Sequence, residues 1–335
     1  MKERIVKLKE DIGFISYAAV GGYEEKRGPL GDKFDICDPS DKFSQRTFEE
    51  AEGEMSRIAL NIALSKINIS HTDLSVVVAG DLQNQCVASS GGLSSFGVPY
   101  IGLYGACSTC TEGLIVLSSL LLSSDYYKKG AIVTGSHNAA AEKQFRMPIE
   151  YGGVRAPSAQ WTATAAGAFI LSKGEGEVKI KEFMPGKIVD GETTDATNMG
   201  AAMAFSTADT IVSYFEESGI SPESFDYIVT GDLGKVGSSI LEDILSEKNP
   251  RAQRRHIDCG MLLYDFNEQD CHSGASGCGT SASVLAAEFL PSIKRGEIGD
   301  ILFLSTGALM SPLSVLHGNN ILGISPLIRI GRNVK

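Results

Sequence analysis

An α/β protein assembled from two copies of one unit is the fold that this 335-residue sequence predicts, and three observations carry the prediction. Continuous branched runs such as Leu74–Ala79 and Ala131–Gly135 alternate with apolar helical stretches, as parallel βαβ units with strands buried on both faces require. Phe225–Leu233 (FDYIVTGDL) echoes Leu74–Leu82 (LSVVVAGDL), which sets Asp232 opposite Asp81, 151 positions away. Gly277-Cys278-Gly279-Thr280 likewise echoes Ala106-Cys107-Ser108-Thr109. Each opens an apolar helix and leads through a strand to a glycine, Gly135 lying 28 positions after Cys107 and Gly307 lying 29 after Cys278. Two matched stretches in the same order imply a duplication.

Taken in order, Gly13–Val20 reads as the first strand and Gly28–Asp41 as a loop rich in Gly, Pro and Asp. Thr47-Phe48-Glu49-Glu50 is a capping box, and it starts a helix reaching about Lys66. The strand at Leu74–Ala79 ends in Gly80-Asp81-Leu82-Gln83-Asn84, a loop between strand and helix. A buried strand at Pro99–Tyr104 turns into a helix running from Cys107 to about Tyr127, and the strand at Ala131–Gly135 follows. Ser136–Gln160 carries no clear period, yet it holds His137, Arg146, Glu150 and Arg155; a loop of that length in a compact domain is functional or meets a partner. The charged, glycine-containing break at Lys173–Glu177 divides the chain into halves 1–175 and 176–335, and Val178–Val189 reads as a strand crossing into the second half.

Composition removes several function classes. With 30 basic against 41 acidic residues the net charge is −11, the wrong sign for a nucleic-acid surface, so an anionic ligand must be held by local donors. The longest apolar stretch, Leu114–Leu122, is interrupted by Ser118 and Ser119 and falls short of the roughly 20 residues of a bilayer span. The N-terminus, MKERIVKLKEDIGF, lacks the apolar core of a signal peptide, so synthesis in the cytoplasm and at most peripheral membrane contact are expected. Seven scattered Cys fit a reducing compartment rather than a disulfide framework.

Cys107 is the residue with the most chemistry around it. A thiol at a helix N-terminus sits in a positive field that lowers its pKa and attracts anions. Three readings compete: a nucleophile of acyl transfer, one member of a redox or metal Cys107-x-x-Cys110 pair, or the floor of an anion pocket. A duplicated fold brings the helix starts at Cys107 and Cys278 to a shared centre beyond the strand ends, where α/β sheets bind ligands. Arg146 and Arg155 can pair a carboxylate in bidentate fashion, and His137 directly follows a strand end. Asp81 and Asp232, at equivalent turns, suit helix caps or ligand contacts. Cys259, Cys271, His272 and Cys278 lie close in sequence, but no second CxxC or HxxxH completes a zinc set, and buried apolar thiols explain them.

Duplicated halves, a Cys at the head of the first central helix and a small-residue helix start in the second resemble the thiolase and ketoacyl-synthase superfamily. That resemblance implies a thiolase-like αβαβα five-layer fold, a homodimer, and Cys107 at the nucleophile position. The superfamily's His-x-x-Asn falls on Gly231-Asp232-Leu233-Gly234, and its Gly-Asn turn falls on Gly277-Cys278-Gly279-Thr280-Ser281; both catalytic partners are absent. One branch departs in this same way. GACST (105–109), SHNAAAEKQFR (136–146), EYGG (150–153), AGDLQNQ (79–85), TGDLGKVGS (230–238) and STGALMSP (305–312) resemble the stage V sporulation protein AD family, SpoVAD. The resemblance implies non-catalytic binding of dipicolinic acid within the SpoVA machinery, which takes dipicolinate into the developing spore and releases it in germination. It also implies peripheral attachment at the spore inner membrane beside other SpoVA proteins, and no cofactor; whether calcium enters with the ligand stays open. The ligand-binding set expected on this reading is Cys107, His137, Arg146, Asp81, Asn84, Asp232, Cys278 and Gly307. The alternatives are an acyl-transfer enzyme using Cys107 and a scaffold for membrane subunits.

Overall fold

The branched runs do become sheet. The computed structural model describes residues 4–145 and 155–332, and ten strands form its main path. The first half supplies β1 (Val6–Gly21), β2 (Val76–Gly80), β3 (Tyr100–Gly102), β4 (Lys129–Ser136) and β5 (Ala165–Lys173). The second supplies β6 (Val178–Met184), β7 (Tyr227–Thr230), β8 (His256–Asp258), β9 (Ile301–Leu304) and β10 (Leu327–Arg332). Hydrogen-bonded neighbours run β3-β2-β4-β5-β1 and continue β6-β10-β9-β7-β8. The pairs β2–β3, β2–β4, β7–β8 and β7–β9 are parallel, whereas β4–β5, β5–β1, β9–β10 and β10–β6 are antiparallel. Strand for strand the second half repeats the first, and the antiparallel β1–β6 pair joins them.

Strand periodicity builds the layers, because alternate side chains leave a strand on opposite faces. Val76 and Val78 of β2, Ile132 of β4, Ile301 and Phe303 of β9 and Ile328 of β10 share one core with helix α2 (Thr109–Ser123), through Leu114, Leu117 and Leu121. Val77, Ala79, Ala131 and Val133 point the other way, onto Met55, Ala59 and Leu60 of helix α1 (Phe48–Lys66). Ile228, Leu302 and Leu304 do the same in the second half. They meet helices α4 (Met199–Ser218) and α5 (Gly234–Lys248), once α3 (Asn138–Phe145) is counted between. Helix α6 (Cys278–Val284), prolonged by a π-helical turn and a further helix to Arg295, lies beside α2 in the middle layer. The result is helix, sheet, helix, sheet, helix. Residues 106–123 are apolar enough to cross a bilayer by length and composition, and the fold places them in the middle layer as α2 and the 3₁₀ turn before it.

Three expectations need correction. Pro99–Tyr104 is an edge strand of three residues rather than a buried one, for β3 has β2 alone as a ladder partner among the described residues. Ser136–Gln160 is not a uniform loop: NAAAEKQF forms α3, whose good helix formers bury Ala140 and Ala141 over too few turns to show a period. Val178–Val189 is not one strand, since β6 stops at Met184, ahead of Pro185 and Gly186, and a separate short strand takes Val189–Asp190. The capping box at Thr47 does form: the Glu50 N–H donates to Thr47 Oγ1 at 3.1 Å and the Thr47 N–H to Glu50 Oε2 at 3.3 Å.

Candidate functional site

The start of α2 and the start of α6 meet beyond the strand ends. Cys107 lies in a 3₁₀ turn, Ala106–Ser108, that precedes α2, and Ala106 takes a positive φ of 52° to make the bend. Gly307 stands against that turn so closely that a Cβ would lie 2.9 Å from Gly105 O and 2.9 Å from Ser108 Oγ. Only glycine lets the two segments touch. Above Cys107 opens a cavity of about 530 Å³. Its walls are largely apolar, with Leu82, Phe145, Met199 and Met310 among them, and its polar lining includes Tyr104, Thr162, Ser276, Glu142 and Arg155. That volume and balance are those of a small-molecule site.

The floor of this cavity is a thiol beside a buried carboxylate. Cys107 lies beside the buried Asp232, and burial followed by the Asp232 charge pushes the thiol well above its ordinary range. Asp232 Oδ2 accepts from Gly277 N at 2.8 Å and Ser276 Oγ at 3.2 Å, while Oδ1 accepts from Thr306 Oγ1 at 2.6 Å. Burial raises Asp232 to about 6, and its donors, Thr306 first, resist the rise. The sequence predicts an anion at this helix start. The chain supplies that anion itself, through the N–H of Gly277, the residue that caps α6. Buried beside a negative charge, Cys107 is held as a thiol, the opposite of an activated nucleophile whose pKa a neighbouring cation lowers.

The two repeated aspartates have diverged. Asp81 Oδ1 accepts from Gln83 N at 2.8 Å, and Oδ2 accepts from Ser89 N at 2.8 Å and Ser89 Oγ at 2.6 Å; it ties its own loop together and does not line the cavity. The capping role expected of Asp232 at α5 belongs to Asp258, which accepts from Leu233 N at 2.9 Å and Gly234 N at 3.0 Å. No sequence signal marks Asp258, because it reaches α5 from the neighbouring strand.

The other expected site residues separate. His137 turns away from the cavity: its Nε2 meets Asp41 O at 2.8 Å, its Nδ1 accepts from Ala139 N at 3.2 Å, and burial lowers its pKa. Cys278 is fully buried beside Cys107, and its thiol donates to Gly135 O at 3.0 Å, so it supports the floor without facing the cavity. Asn84 sits at the rim, its Oδ1 accepting from the Tyr104 hydroxyl at 3.0 Å. Gly307 shapes the turn, and the next residues, Ala308 and Leu309, line the cavity. Arg146 and Glu150 lie outside the described residues. His256 and His272 are engaged elsewhere: His256 with Thr230 at 2.9 Å and Glu242 at 3.2 Å, His272 with Ala156 O and Asp270, both at 2.9 Å. Cys110 is fully buried in the central core, where burial pushes its thiol up to about 12.

A family model described as stage V sporulation protein AD (SpoVAD) matches residues 2–331. The chain belongs to the SpoVAD family. The stage V sporulation protein AD of Bacillus subtilis (strain 168) is 37% identical over 300 residues, covering 90% of this chain and 88% of that protein. Among solved structures, OleA of Xanthomonas campestris aligns with TM-score 0.60 and 12% identity, covering 97% of this chain and 99% of OleA. The 3-oxoacyl-[acyl-carrier-protein] synthase III of Aquifex aeolicus VF5 aligns with TM-score 0.56 and 13% identity, covering 95% of this chain and 99% of that one. At such identities the likeness is one of fold, so this SpoVAD-family sporulation protein has the thiolase-type architecture of those enzymes.

Proposed function

We propose that this protein binds dipicolinate, alone or as its calcium chelate, in the cavity above Cys107 and does not turn it over. The observation that carries the reading is the buried Asp232 carboxylate beside Cys107: its charge, added to burial, disfavours the thiolate on which thiolase-type chemistry depends, while the cavity above stays open. Apolar walls suit a pyridine ring, and the Thr162 hydroxyl in the lining suits a carboxylate. As the family resemblance implies, the protein would act with membrane SpoVA proteins at the spore inner membrane, loading dipicolinate in sporulation and releasing it in germination. The edge of β3, unpaired among the described residues, supports a homodimer formed by strand pairing.

The test is calorimetry of the purified chain with dipicolinate, with and without calcium, alongside mass spectrometry of Cys107 after exposure to acyl-CoA. Saturable dipicolinate binding with an unmodified Cys107 is expected. Thioester turnover with no dipicolinate binding would overturn the reading.

A further inference from the structure

Arg155 stands between two cavities. It lines the larger one, and among the described lining residues it is the one cation. Its two partners, Trp161 and Asp270, line a second cavity of about 330 Å³. The guanidinium lies over the Trp161 ring, 4.9 Å from its centroid, and Nη2 donates to Asp270 O at 2.5 Å and faces Asp270 Oδ2 at 3.0 Å. Trp161 is itself fixed, because its N–H donates to Gly274 O at 2.9 Å and its strand pairs with Ala275–Ser276. The fork is therefore clamped on one side by an aromatic platform and a carbonyl. Its other arm differs: Nη1 is buried and has no hydrogen-bond partner among the described residues. A buried guanidinium nitrogen left without an acceptor costs the desolvation of a charged donor unless a ligand supplies one. Asp270 is 79% exposed, so solvent screens its charge and it orients Arg155 more than it neutralises it.

We propose that Arg155 forms a carboxylate subsite of the larger cavity, with its guanidinium as the donor and Trp161 and Asp270 as the residues that position it. The ligand class is a small aromatic acid whose ring lies along the apolar wall and whose carboxylate meets the guanidinium. This rests on the ligand-binding reading above and adds where the charge of the ligand is recognised.

The experiment is calorimetry of the full chain with three probes: dipicolinate, its uncharged 2,6-dicarboxamide and benzoate. Arg155→Gln is expected to weaken dipicolinate binding by roughly 10- to 100-fold, the loss of one charge-assisted bond, and to leave the dicarboxamide unaffected. Arg155→Lys, which keeps the charge and loses the fork, is expected to fall between, and unchanged thermal melting of either variant confirms folding. Equal dipicolinate binding by wild type and a folded Arg155→Gln overturns the subsite while leaving the ligand reading intact. If the wild type binds no dipicolinate, that reading fails and benzoate decides the subsite: binding lost in Arg155→Gln supports it, and absent or Arg155-independent binding overturns it.

Discussion

Replacing Asp232 with Asn should make the Cys107 thiol more reactive, with burial still holding its pKa up. The carboxylate beneath the thiol is fully buried, so little solvent screens it. At about 4 Å and an effective dielectric of about 20, two unit charges of like sign repel by about 4 kcal/mol, which corresponds to about a thousandfold in thiolate population. A less basic thiolate is also a weaker nucleophile, with a Brønsted slope near 0.5, so about 30-fold of that gain should survive in the rate. The assay is iodoacetamide alkylation at pH 8 followed by peptide mapping to separate Cys107 from the other six cysteines. The amide still accepts one of the bonds from Gly277 and Thr306, so the fold should persist at a cost of about 1–3 kcal/mol, checked by thermal melting. An unchanged alkylation rate at Cys107 in folded Asp232→Asn would refute the claim that Asp232 silences the thiol.

Further expectations concern stability. Glu25, whose Oε1 accepts from Thr164 N at 3.0 Å and from the Tyr264 hydroxyl, is pushed from an ordinary 4.5 to about 7, chiefly by burial. Its folded form therefore holds the proton more tightly than the unfolded chain. The associated stability is complete below pH 4.5 and is lost as pH rises through 7, by roughly 3 kcal/mol. Glu25→Gln should flatten that part of the pH profile of urea midpoints, and an unaltered slope would count against it. Thr47→Ala should cost about 1 kcal/mol by removing the cap of α1, read from the same midpoints. Gly307→Ala puts a methyl against Gly105 O and Ser108; it should destabilise by about 1–3 kcal/mol and weaken ligand binding by displacing the Cys107 turn.

What the sequence discloses and what it hides follow from the range of the interactions. β2, β4 and the capping box of α1 declare themselves because branched runs and an i to i+3 cap are local patterns. The duplication is legible for the same reason, since each half carries its own GDL turn and its own small-residue helix start. Asp232 is legible as a position but not as a partner: only the tertiary fold shows that it serves α6 and Cys107 while Asp258 takes the cap of α5. His137 follows a strand as the sequence suggests, yet the side on which its ring leaves the chain depends on the loop at Asp41. Arg155 is one of several charged residues in an aperiodic stretch; its stacking on Trp161 brings it out.

The position of β6 has a consequence for biosynthesis. Its two ladder partners lie far apart in sequence, Val6 pairing with Phe183 and Arg332 with Val178. A ribosome must therefore deliver β10 before the second half of the sheet can close, and until then β6 and β9 each lack a neighbour that they have in the native fold. Such distant pairing slows folding and prolongs the life of unpaired strand edges. A nascent chain stalled before Leu327 would expose both strands at once, so termination ahead of β10 should yield aggregate rather than a shortened, folded product.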